Sequence, residues 1–286
     1  MTKPSQLQLF NSIPESDKNA QSKVIEERAG TFTDNMKLPI HRWFRYSAGF
    51  SAAWVERVIT ELEPQTILDP FAGSGTVCIA ADKLGINSYG IEAHPFVYRL
   101  AKAKLAWGVN IHEFSAAITE IKELAASLQL KLPEKIPLLL SKCYTYETLI
   151  DLFKIRQAYL ELAPLLSKEL QSLTFLAICA ILRSSSHVGT AQWQYILPNK
   201  SKANASKPFE ALEKQVNLMQ EDMHYMQSLT RLSKATLIQE DARSLKSITN
   251  NLIVLIIPVV NSRDLKSLLI TATVIQFEQP FRTRLC

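Results

Sequence analysis

Residues 66–91 constrain the fold of this chain more than any other stretch. An apolar segment, Thr66-Ile67-Leu68, runs into Asp69-Pro70-Phe71-Ala72-Gly73-Ser74-Gly75-Thr76, and a second one follows at Asn87–Ile91. Asp-Pro is a stop for a strand, and two closely spaced glycines let the backbone turn tightly or approach a ligand with no Cβ in the way. The pattern predicts a strand, a glycine loop, a helix over Thr76–Leu84 closed by Gly85, and a strand ending at Glu92. Ala93-His94-Pro95 then opens another helix at 96–105, with Pro95 at the favoured first position. Strands alternating with helices in this way pair in parallel, so the fold class is α/β.

The loop chemistry narrows the ligand. A phosphate-cradling Walker loop ends in Gly-Lys-Ser/Thr, but Thr-Val-Cys follows Gly75. A dinucleotide loop of the GxGxxG type, as in nicotinamide dehydrogenases, needs a third glycine where Cys78 stands. Asp69, directly ahead of the turn, repels a pyrophosphate and suits a cationic amino group. Glu92 ends the next strand, where a carboxylate can accept both hydroxyls of a ribose. An ammonium, a ribose and no phosphate describe S-adenosylmethionine. The plainer alternative is that Asp69-Pro70 caps the helix while Gly73 and Gly75 only form a turn.

Around this unit, residues 1–28 are polar and without period and are expected to form a disordered tail. Residues 29–110 hold the loop-bearing unit. There Ser51 is expected to cap a helix whose Trp54, Val55, Val58, Ile59 and Leu62 share one face, and Pro64 ends it. Residues 111–234 are helical almost throughout, an insertion interrupted by an exposed connection at 184–208. Met223, His224 and Met226 fall among its apolar positions and read as core. Residues 235–286 open with a strand at 235–239, followed by the apolar run 252–260. That run is well short of the roughly 20 residues needed to cross a bilayer. The N-terminus has no apolar core of a signal peptide, and four cysteines lack metal-ligand spacing, so a reducing cytoplasm and no metal site are expected. A net charge of +5 suits a polyanionic partner without requiring one.

DPFAGSGT followed by GIEAHP resembles the cofactor motifs of the amino-group DNA methyltransferases, which modify adenine N6 or cytosine N4. The segment KLPIHRWFRYSAGFSAAWVERVI is similar to the element that folds over the methionine side in these enzymes, and QEDARSL resembles their adenine-contacting motif. The resemblance implies a Rossmann-like S-adenosylmethionine-dependent fold acting on DNA, within restriction–modification. It assigns Asp69, Pro70, Phe71, Ala72, Gly73, Ser74, Gly75 and Thr76 to the methionine end of the cofactor. Glu92, with Ala93 and His94 beside it, falls to the ribose, and Asp241 with Ala242 to the adenine. Further partners it leaves open are a restriction endonuclease or a second methyltransferase subunit.

The same family needs Asp/Asn/Ser-Pro-Pro-Tyr/Phe on the strand after the adenine contact, to accept hydrogen bonds from the target amine and to stack on the flipped base. Leu255-Ile256-Ile257-Pro258-Val259-Val260 stands there, and the tetrad occurs nowhere in the chain. No catalytic residue is therefore assigned, and the chain is expected to be a truncated or frameshifted form with weak cofactor binding. Strands are readable at 66–68, 87–91, 235–239 and 252–260, fewer than such a sheet carries, so it is expected to be incomplete at its C-terminal side.

Other residues keep two readings. Trp43, Phe44 and Tyr46 are a stacking wall or core, Phe96 packs on adenine or in the core, and Arg42 and Arg45 reach phosphates or form a solvated face. Lys200, Lys202 and Lys207 with Trp193 and Tyr195 are the best candidates for touching DNA. RNA methylation and a non-catalytic module that binds DNA or a partner stay open as alternatives.

Overall fold

The computed structural model describes residues 32–47, 49, 51–188, 204–229 and 234–243, and the backbone of two more strands at 253–256 and 273–276. The expected tail, Trp193, Tyr195, Lys200, Lys202 and residues 257–260 lie outside the described residues.

Helix α1 (Ala52–Leu62) starts where the Ser51 hydroxyl accepts a hydrogen bond from Trp54 N, and it stops at Glu63, which takes a left-handed conformation just before Pro64. Its Trp54, Val55, Val58 and Ile59 are buried. Leu62, expected on that face, is instead exposed, because it sits in the last turn beyond the packing partner. Strand β1 (Thr66–Asp69), helix α2 (Thr76–Leu84) with Gly85 in the left-handed C-cap, and strand β2 (Asn87–Ile91) follow as the local pattern predicts. Helix α3 (Pro95–Lys104) is capped by His94, whose ring Nδ1 accepts from Val97 N.

The inserted helices are α4 (Ile111–Ser127), α5 (Leu138–Cys143), α6 (Tyr146–Leu162), α7 (Lys168–Ser185) and α8 (Pro208–Ser228). The apolar stripes of α4, α6, α7 and α8 meet in one core with Ile40, Trp43, Ile79 and Leu100 from the loop-bearing unit, while α5 buries no residue. Arg99 of α3 fastens the two parts together: its guanidinium lies 3.5 Å from the Phe175 ring centre and donates to the Tyr159 hydroxyl at 2.7 Å. A second core joins α1 to β1 and α2 through Val55, Ile59, Ile67 and Val77. Met223 and Met226 are core, as their spacing suggested, but His224 is exposed, one residue off the stripe.

Strands β3 (Ala235–Ile238), β4 (Ile253–Ile256) and β5 (Thr273–Gln276) complete a five-stranded sheet in the order β3-β2-β1-β4-β5. The pairs β1–β2, β1–β4 and β2–β3 are parallel, while β4–β5 is antiparallel. The sheet is therefore mixed and has one strand more than the sequence pattern revealed. Thr273-Val274-Ile275 is β-branched but too short to stand out, and its pairing with β4 makes it a strand. Central β1 is flanked on both sides, which is why Ile67 and Leu68 are both buried. The carboxyl ends of β1, β2 and β3 share one edge of the sheet, with Asp69 opposite Gly90 and Ile91 opposite Ile238. Clefts at that edge are where open α/β sheets bind ligands.

Candidate cofactor site

The glycine loop leaves β1 at Asp69 and enters α2 at Thr76. Gly73 (φ 53°) and Gly75 (φ 84°) both take left-handed conformations that a side chain would strain. Gly75 N donates to Ala72 O at 2.8 Å, Ala72 N to Ile91 O at 2.8 Å, and no side chain caps α2. The N-terminal N–H groups of that helix therefore face the loop without an intrahelical acceptor.

Glu92 fastens the two loops together. One of its carboxylate oxygens accepts from Gly73 N at 3.0 Å and the other from His94 N at 2.7 Å. Each oxygen keeps further acceptor capacity. Ala93 and His94 continue from it as exposed residues.

Asp69 is 1 % exposed. One oxygen accepts from Phe71 N at 3.0 Å, while Oδ2 is buried with no hydrogen-bond partner among the described residues. Burial pushes its pKa up to about 7, the Phe71 N–H opposes that, and the charge of Glu92 adds to it. A carboxyl group with one empty, buried oxygen next to a second carboxylate is a ready acceptor for an ammonium group.

Over the loop lies a strap, residues 38–46, whose Tyr46 ring is 3.3 Å from where a Gly73 Cβ would stand. Burial and the nearby Glu92 charge raise the Tyr46 hydroxyl pKa. Phe71 is more than half exposed beside the loop. Phe96 stands edge-on between Phe44 and Phe175, with ring centres 6.2 Å apart on both sides. Trp43 is core, 1 % exposed.

The strap is held from the insertion. Asp222 of α8 is buried and accepts from Ile40 N (2.9 Å), Trp43 Nε1 (2.9 Å) and the Arg42 guanidinium (2.6 Å to Nη2). Arg42 is thus the partner of a buried acid and not part of a solvated face. Ile40, a β-branched residue at φ 64°, is strained, and its N–H is fixed by this carboxylate. Asp222 escaped the sequence reading, although an acid three residues past Met219 and four before Met226 lies on a buried stripe, which is the signal that finds it.

Lys104 is a second omission of the same kind, at the position three past Ala101 on the buried face of α3. It is 2 % exposed and donates to His41 O (3.1 Å) and Phe44 O (3.5 Å) of the strap. Burial lowers its pKa to about 7. His41 is buried as well, and desolvation with the charges of Lys104 and Lys83 brings it down to about 3, so its ring is neutral.

Asp241 follows β3 at the same sheet edge, with Ala242 beside it. Its carboxylate is engaged by Arg243, at 2.6 Å from Nη2 and 2.9 Å from the backbone N, which lowers its pKa to about 2. Lys207, the described member of the lysine group, is exposed at the start of α8.

The parallel strands β1, β2 and β3 thus carry at their carboxyl edge a glycine loop, an acid before it and an acid ending the next strand, on an α/β fold. Residues 8–103 match the model of the N6/N4 methyltransferase family, described as DNA methylase. Over 109 residues the chain is 35% identical to the type II methyltransferase M.BsoBI of Geobacillus stearothermophilus, covering 37% of this chain and 21% of that one. Over 82 residues it is 38% identical to the type II methyltransferases M.AvaI of Nostoc sp. and Anabaena variabilis, covering 28% of this chain and 17% of those. Over this segment the chain is thus similar to the amino-group DNA methyltransferases. The match spans about a fifth of the length of these curated relatives. No solved structure matches the chain.

Proposed function

We propose that this chain is the cofactor-binding part of an S-adenosylmethionine-dependent DNA methyltransferase acting on adenine N6 or cytosine N4. Its sheet is then of the Rossmann-like methyltransferase type. The observation that carries the reading is the empty, buried oxygen of Asp69 at the mouth of a glycine loop tied to Glu92. Asp69 takes the ammonium of the donor, the 70–76 loop lines its methionine portion, and Glu92 accepts from the ribose with Ala93 and His94 alongside. Asp241 and Ala242 border the adenine, which requires Arg243 to share or yield the Asp241 carboxylate. The bound donor supplies an electrophilic methyl group on sulfur.

The chain contains no Pro-Pro-Tyr or Pro-Pro-Phe sequence, so we assign it no group that orients a target amine. β4 lies beside β1 with Ile256 opposite Leu68, and the 257–260 segment that stands in place of the family tetrad lies outside the described residues. We infer cofactor binding without methyl transfer by the chain alone, with DNA as the polyanionic partner and a restriction endonuclease or second methyltransferase subunit as the protein one. Calorimetry with S-adenosylhomocysteine on wild type and Asp69→Ala tests the binding half. Heat from wild type that the substitution abolishes is expected, whereas no heat from wild type removes the proposal. Incubation with labelled S-adenosylmethionine and DNA tests the other half, and label in DNA would show a transfer group that the family motif does not describe. The absent tetrad also favours a non-catalytic DNA- or partner-binding module, for which a gel shift without cofactor is the separating measurement.

A further inference from the structure

Lys104 has a feature that its role as a strap fastener leaves unexplained. It is a buried cation whose hydrogen-bond partners, the carbonyls of His41 and Phe44, are neutral, and burial is the sole cause of its lowered pKa. Ion pairs among the described residues do not include it. Desolvating an ammonium group without a counter-charge is costly, and carbonyl dipoles offset only part of that cost.

The space beside Lys104 is a small cavity between the strap and the start of α2. Ser74, Thr76, Tyr46 and the neutral His41 share its lining. α3 meets α2 there so closely that a Cβ on Gly75 would stand 3.4 Å from the Ala101 Cβ, and Lys104 is one turn beyond Ala101 on that face. The cavity thus collects a buried ammonium, two nearly buried hydroxyls and the uncapped N-terminus of a nine-residue helix. All of these favour negative charge, and among the described residues no carboxylate lines the cavity to supply it.

We propose that Lys104, Ser74 and Thr76 form an anion subsite that receives the α-carboxylate at the amino-acid end of the methyl donor. This rests on the donor reading of the loop. Asp69 sits on the strand side of Gly73 and Lys104 on the helix side of Gly75. The two charges of the zwitterion are therefore read by opposite flanks of one loop. Polarity is then part of recognition: an adenosine thioether with an ammonium but no carboxylate satisfies Asp69 and leaves Lys104 uncompensated.

The test compares two ligands on the full chain by calorimetry: S-adenosylhomocysteine, and its decarboxylated analogue, which keeps the amine. Wild type is expected to bind the analogue about 10- to 100-fold more weakly, the range of a lost charge-assisted contact. In Lys104→Met that preference is expected to shrink to a few-fold or less, because only the intact ligand gains from the ammonium. Thr76→Val, which exchanges one hydroxyl for a methyl group, is expected to reduce the preference partially. It serves as the readout if Lys104→Met does not fold. Equal binding of the two ligands by wild type overturns the subsite whatever the variants do. So does an undiminished preference in Lys104→Met, which would leave Lys104 as a strap fastener only. Binding of neither ligand refutes the donor reading itself, a separate outcome.

Discussion

Two buried carboxylates, Asp69 at 1 % exposure and Asp222 at 2 %, stand in this molecule under similar desolvation and opposite circumstances. Asp222 accepts from the Ile40 backbone N–H, the Trp43 indole N–H and the Arg42 guanidinium, so both its oxygens are used and its charge is neutralised. Asp69 accepts one backbone N–H and, among the described residues, keeps an oxygen without a partner beside another carboxylate. A saturated buried acid acts as a fastener, because every acceptor site is spent on the protein itself. An unsaturated one raises the energy of the free protein and lowers it again only when a donor arrives. The difference in partners, more than in burial, separates architecture from recognition here.

The largest effect expected from breaking this contrast is on the saturated side. Asp222→Ala leaves Ile40 N, Trp43 Nε1 and the Arg42 guanidinium without their acceptor. It should cost about 3–5 kcal/mol of stability, measured by urea unfolding. Next comes Asp69→Asn, which should weaken S-adenosylhomocysteine by about 2–3 kcal/mol in calorimetry without lowering the unfolding midpoint at pH 7, since the amide bears no cost of ionising in the buried site. If both substitutions reduce stability alike, the contrast fails.

Smaller is the effect of Gly90→Ala. An added Cβ there would stand 2.8 Å from Leu237 Cδ1 and 2.9 Å from Cys78 Sγ, between the loop and β3. Overpacking of this kind should cost about 1–3 kcal/mol in thermal or chemical unfolding. Smallest at any one step of pH is a gradual effect, which sharpens the assignment. With the Asp69 pKa raised to about 7, the folded chain holds a proton that the unfolded chain has lost between the ordinary carboxylate range and that value. Asp69 therefore lowers stability as pH rises through this window, by at most about 1.4 kcal/mol per unit. Ligand affinity should rise over the same window as the carboxylate forms, with Lys104, also near 7, opposing it on the alkaline side. Asp69→Asn should flatten the acidic limb of a Kd-versus-pH profile.

The loop-bearing unit was legible almost to the residue. Gly85 closes α2, Pro95 starts α3 and β2 spans Asn87–Ile91 because caps, glycines and apolar spacing act within a few residues. Within the candidate site, Asp69, Gly73 and Glu92 do meet, through the Gly73–Glu92 hydrogen bond and the charge of Glu92 on Asp69. Asp241 follows β3 at the sheet edge that carries the loop, but its pairing with Arg243 was not foreseen, since adjacency in sequence gives no sign of which side chains face each other. His224 and Leu62 show the limit of stripe reading, where one residue of phase or one turn of length exchanges core for solvent.

By itself, then, the order of residues determined the strand–loop–helix units, the two acids at their ends and the helical character of the insertion. These depend on backbone preference and on period, both of short range. Only the tertiary structure decided that α8 holds the strap, across a separation of 182 residues between Ile40 and Asp222, and that Lys104 faces the start of α2. It also decided that 273–276 pairs as an antiparallel edge. Such contacts exist because packing the apolar faces brings distant polar groups into one desolvated space, where each must find a partner. Nothing near either residue in the chain names that partner.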